Sequence, residues 1–140
     1  MMREELLKVT RRKLLQLKNT YNNSKIIILG DLQDTMTPLD AYGNYQKKWE
    51  SNKNSILTIP IKEENMTSIA REETVKRGNT YSTQRGNVVH EAGQRSGRGI
   101  NHIFISDNVE RAYKHSAGVD WDIFSEWVAS DHAAVWTDIK

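Results

Sequence analysis

Three short stretches of the 140-residue chain set acid, amide and imidazole groups at the ends of apolar runs. "KIIILGDLQDT", residues 25–35, drives four apolar residues into Gly30 and then offers Asp31 and Gln33 two positions apart. "INHIFIS", residues 100–106, opens with Asn101 and His102, and "SDHAAVW", residues 130–136, places Ser130, Asp131 and His132 ahead of another apolar run. Such groups on the rim of buried strands are what a metal-assisted hydrolase needs, because strands hold them rigidly while loops expose them. Each is also ordinary turn chemistry by itself: Gly30 can supply unusual dihedrals and Asp31 can bond the local backbone. Only the combination is informative. With no cysteine in the chain, disulfides, thiolate metal sites and a cysteine nucleophile are excluded, and any site works with oxygen and nitrogen.

The elements that must position these groups follow from patterning. Leu7, Thr10, Leu14 and Leu17 recur at 3-4-3 spacing with Leu6 beside them, which predicts an amphipathic helix over 3–18. "KIIIL" is a short β-branched run of the kind expected for a strand buried on both sides of its sheet. Pro38, Gly43 and few core candidates predict a long loop to Asn54, with a turn of helix around Tyr45 to Trp49. "SILTIPI" and "MTSIA" are short apolar elements that could be helical or extended. "NTYSTQ" suggests a strand, and residues 85–99, with four glycines and three arginines and no periodicity, suggest a loop. "INHIFIS" and "AAVWTDIK" are strands, the second alternating Val135, Thr137 and Ile139 against Ala134, Trp136 and Asp138, and "GVDWDIFSEWV" adds one more. Trp121, Trp127 and Trp136 are expected in the core, and His90 and His115 at the surface.

Hydrophobic residues make up 37% of the chain and charged residues 27%, which favours one folded, rather polar domain over disorder. The amino terminus is too charged for a signal peptide, and no window approaches the roughly 18 apolar residues of a membrane span. An intracellular location, cytoplasmic or nuclear, is therefore expected rather than secretion. Net charge is +2 but uneven: residues 1–25 carry seven basic and two acidic groups, residues 101–140 three basic and seven acidic. That polarity permits a polyanionic partner; a solvated helix face explains it equally well.

In their order, "GDLQ" at 30–33, "INHIF" at 100–104 and "SDHAAVW" at 130–136 resemble the endonuclease/exonuclease/phosphatase family, in which a strand ends Gly-Asp-x-Asn, a later one begins Ile-Asp-Tyr-Ile-Phe and the last follows Ser-Asp-His. "TYST" and "SGRG" also fall where that family has its Thr-Tyr/Phe segment and basic approach. The chain is similar to the carboxy-terminal half of the family domain, of a retrotransposon-endonuclease or apurinic/apyrimidinic-endonuclease type. The resemblance implies an α+β fold, a partial two-sheet sandwich of mainly antiparallel strands with a leading amphipathic helix, spanning residues 1–140 as one truncated domain.

It implies as well a metal-dependent phosphodiester hydrolase with magnesium or manganese as cofactor. On that basis Asp31 would orient or deprotonate the attacking water, and Gln33 would hold that water or a phosphate oxygen. Asn101 would orient His132, His132 would contact the scissile phosphate, and Asp31 and Asp131 would face the metal. Arg85, Arg95 and Arg98 would contact phosphates of a nucleic acid, DNA ahead of RNA. Gln33 stands where the family has asparagine, and Asn101 where it has aspartate. The half-domain that supplies a glutamate metal ligand has no counterpart here, so the alternative is a catalytically inactive remnant that serves as a binding or interaction module. Half a sandwich would leave the faces of Ile26 to Leu29 and Ile103 to Ile105 incompletely covered, and would favour association.

Overall fold

The computed structural model describes residues 3–32, 55–78, 81–89, 95–120 and 132–140. Helix α1, Arg3–Thr20, begins with Glu4 and Glu5 in its first turn and ends with Lys18 in its last, charges that complement the helix dipole. Leu7 and Leu14, seven residues apart on one face, are buried against Ile59, with Ile26, Ile28 and Ile56 around them. Two cations beside that buried face are paired within the chain: Arg11 Nε lies 2.8 Å from Glu63 Oε1, and Lys18 pairs with Glu64. Beyond Thr20 the chain turns at Asn23, whose φ of 57° is one that asparagine tolerates better than most residues.

The remaining elements follow in order: β1 (Ile27–Asp31), a π-helical turn (Ile59–Glu63), β2 (Thr67–Ser68), α2 (Ile69–Lys76), β3 (Gln84–Val89), β4 (Arg95–Arg98), β5 (Asn101–Ile105), α3 (Asp107–Ala112), β6 (His115–Asp120) and β7 (Ala134–Ile139). They form three small antiparallel sheets, β1-β5-β2, β3-β4 and β6-β7. The fold is thus mixed helix and strand with antiparallel pairing.

Strand β5 is the centre. Its Phe104 packs with Leu57 and Met66 on the side where Ile26 and Ile28 meet α1. The side chains of Ile103 and Ile105 join Ile69, Ala70, Val109 and Ala117, with Val119, Val135 and Ile139 of the β6–β7 hairpin against them. A strand covered on both faces must be apolar at successive positions, and "IFI" is.

Strand β1 departs from the expectation of two-sided burial. Ile28 is half-buried, but Ile27 is 48% and Leu29 68% exposed. The reason is position: among the described strands β1 pairs with β5 alone, so it lies at an edge where the layer that buries Ile103 and Ile105 no longer reaches. The exposed face anticipated for Ile26 to Leu29 is therefore present at Ile27 and Leu29, and that anticipated for Ile103 to Ile105 is not.

Four further differences are local. The stretch expected as a loop at 85–99 contains a two-stranded hairpin, in which Gln84 pairs with Arg98 and Arg85 with Gly97 before the register shifts toward Val89. Glycine-rich strands lack the alternation that announces them. The strand expected in "NTYSTQ" starts only at Gln84. Trp136, expected in the core, is 41% exposed because its cross-strand partner is Gly118, over which its ring lies: a Cβ on Gly118 would stand 3.2 Å from Trp136 Cζ2. His115 is half-buried, with its Nδ1 enclosed and without a hydrogen-bond partner, rather than at the surface. His90, Trp49, Trp121 and Trp127 lie outside the described residues, as does the loop expected between Thr35 and Asn54.

Candidate active site

The β1–β5 ladder brings the first two motifs together. Asp31 is the register partner of Asn101 and Gly30 of His102, and the pairing runs on as Leu32 N–H donates to Ile100 O at 2.9 Å. Gly30 has φ +147°, a conformation that side chains rarely adopt, so glycine before Asp31 is required by the backbone itself. His102 is buried between the rings of Tyr81 and Phe104, at centroid distances of 5.9 and 5.3 Å, and its Nδ1 lies 3.0 Å from Ser68 Oγ. It belongs to the core under the site, not to its surface.

The third motif joins at the other edge of Asn101. His132 Nδ1 lies 2.9 Å from Asn101 Oδ1. The segment carrying His132 is held by backbone bonds to the start of β3: Gln84 and His132 form an antiparallel bridge, and Ala133 N–H donates to Thr83 O at 2.8 Å. The Thr83 side chain sits in the middle. Its Oγ1 donates to Asn101 Oδ1 at 2.9 Å and accepts from Ile100 N–H at 3.1 Å and Asn101 N–H at 3.0 Å.

Tyr81 completes the support. Its ring is buried and its hydroxyl donates to Asn101 O at 2.6 Å. Burial pushes that hydroxyl well above its ordinary value of 10.0, while the Arg71 guanidinium pulls weakly the other way. Tyr81 therefore acts as a neutral donor. Gly99 lets it approach, since a Cβ there would stand 2.5 Å from Tyr81 Cδ1 and 2.9 Å from Tyr81 O.

Of the residues singled out by sequence, the structure brings Asp31, Asn101 and His132 to one cluster of strand ends. Arg85, Arg95 and Arg98 lie in the β3–β4 hairpin, whose first residue bridges to His132; their side chains are outside the described set. Gln33 and Asp131 are outside the described residues altogether. Thr83 and Tyr81 were not among the expected site residues. Their one signal was the "TYST" segment, which carries no mark of what its hydroxyls bond.

Magnesium takes oxygen ligands, and is commonly held by one or two carboxylates together with waters and substrate phosphate. Among the described residues no three of His, Cys, Asp and Glu are grouped so as to hold a metal ion. Nor is any described helix long and apolar enough to cross a membrane. No protein-family model matches the sequence, and no curated protein matches it.

Proposed function

We propose that the chain is the carboxy-terminal half of an endonuclease/exonuclease/phosphatase-type domain and that its strand-end site takes part in phosphodiester hydrolysis, with nucleic acid as substrate and DNA ahead of RNA. The observation that carries the reading is the 2.9 Å contact between Asn101 Oδ1 and His132 Nδ1, made from the residue whose register partner is Asp31. An imidazole oriented through one nitrogen can work through the other, as an acid–base group or a contact for a phosphate oxygen. Asp31 is the carboxylate that would orient the attacking water. Packing of the β6–β7 hairpin on the Ile103 and Ile105 side of β5 supports a two-layered arrangement of the sandwich type.

Magnesium or manganese is the cofactor this reading implies, and it would neutralise charge on the phosphate. The described residues do not complete its ligand set, so no step is assigned to it. The uncharged Asn101 beside His132 favours a second reading: a scaffold that binds without cleaving, in which the exposed Ile27 and Leu29 serve association.

Hydrolysis of bis(p-nitrophenyl) phosphate and of a labelled oligonucleotide by the full chain, with magnesium present, tests the first reading. Asp31→Asn and His132→Ala should each lower the rate by about 100-fold or more, the size expected of a positioned acid–base group. Equal rates in all three proteins would overturn it, and salt-dependent oligonucleotide binding without cleavage would support the second reading.

A further inference from the structure

We infer that Thr83 is a positioning residue that fixes the tautomer of His132, holding the proton on Nδ1 and leaving the lone pair on Nε2. The catalytic use of that lone pair rests on the hydrolase reading; the tautomer itself does not.

The assignment follows from counting lone pairs and hydrogens. A threonine hydroxyl has one hydrogen and two lone pairs. Two backbone groups, Ile100 N–H and Asn101 N–H, donate to Thr83 Oγ1 at 3.1 and 3.0 Å and fill both lone pairs. The hydroxyl hydrogen is then directed to the Asn101 carboxamide atom 2.9 Å away, which must be an acceptor. That settles the amide orientation, because a flipped carboxamide would aim N–H at an oxygen with no lone pair left. The same Oδ1 faces His132 Nδ1 at 2.9 Å, and an acceptor can be met only by a donor. Nδ1 therefore carries the hydrogen, and in the neutral ring Nε2 is the basic atom.

Thr83 also holds the other partner in place. Its carbonyl accepts from Ala133 N–H at 2.8 Å, and Gln84, the next residue, bridges to His132 itself. One residue thus sets both the orientation of Asn101 and the approach of the imidazole. Serine could do the same through its hydroxyl, and valine could not.

The test is long-range nitrogen-15 correlation spectroscopy of histidine-labelled full-length chain at alkaline pH, with the His132 signals assigned by their loss in His132→Gln. The native chain and Thr83→Ser should show a protonated, pyrrole-type Nδ1 and a pyridine-type Nε2 for His132. Thr83→Val should lose that preference, with the proton moving toward Nε2. Should Thr83→Val not fold, Asn101→Ala, which keeps the Thr83 hydroxyl and removes the acceptor, should show the same loss. A native chain with the proton on Nε2, or an unchanged tautomer in a folded Thr83→Val or in Asn101→Ala, would overturn the inference. The outcome is independent of turnover: the expected tautomer in a chain that does not cleave would sink the hydrolase reading and leave the positioning role standing.

Discussion

Gly99→Ala isolates the packing that supports the site. The added methyl would meet Tyr81 Cδ1 at 2.5 Å, Tyr81 O at 2.9 Å and Tyr81 Cε1 at 3.2 Å, two of them closer than carbon side chains sit in folded proteins. The ring cannot swing away, because it is buried among Ile69, Ile103 and Val109 and tied by its hydroxyl to Asn101 O. The carbonyl cannot move without dragging Thr83, two residues on. Overpacking of this kind costs about 1–3 kcal/mol, and the backbone contact puts Gly99 at the upper end. With a urea m-value of about 2 kcal/mol/M, the midpoint should fall by about 1–1.5 M at unchanged slope. Gly30→Ala is the matched comparison: nothing lies within 4 Å of its Cβ, but its φ of +147° is hostile to a side chain. It should destabilise through the backbone while leaving the Tyr81 environment, read by aromatic proton shifts, as in the native chain. Gly99→Ala should move those shifts. A Gly99→Ala midpoint within about 0.2 M of native, at an m-value of about 2 kcal/mol/M, would refute the packing argument.

Other consequences follow from single residues. Leu29→Thr, at a 68% exposed position, should change stability by less than about 0.5 kcal/mol while reducing concentration-dependent association in sedimentation. Tyr81 should make the fold alkali-sensitive: its folded value is raised above the unfolded 10.0, so its contribution is complete below pH 10 and is lost as pH rises beyond it. Tyr81→Phe should flatten that alkaline loss in pH-dependent urea melts. Ser68→Ala, which removes the hydroxyl 3.0 Å from the buried His102 Nδ1, should cost about 1–3 kcal/mol by chemical denaturation.

What the sequence disclosed depended on whether a residue's surroundings are local. The α1 face was legible because Leu7 and Leu14 obey helical spacing. The alternation of β7 was legible for the same reason, with Val135 and Ile139 packed on the core. Strand β1 was found but its burial was not, since an edge strand and a central strand can share the run "IIIL". The β3–β4 hairpin was missed because glycine and arginine carry no period-two signal. Trp136 was misplaced because its environment is set by Gly118 on another strand. In the site, residue types pointed to Asp31, Asn101 and His132, but Thr83 was invisible: a hydroxyl acquires its role only when three strand ends close around it.

Phosphodiester chemistry by an Asn101-oriented His132 beside Asp31 remains the proposal to be tested. It is tested most directly by magnesium-dependent nicking of supercoiled plasmid by the full chain, Asn101→Asp and His132→Ala. Asn101→Asp gives the imidazole a charged partner at the same 2.9 Å position. In the serine-protease template the reverse exchange lowers turnover by about 10⁴, which bounds the gain from above. Nicking should be fastest in Asn101→Asp, slower in the native chain and at background in His132→Ala; three indistinguishable rates would overturn the hydrolase proposal.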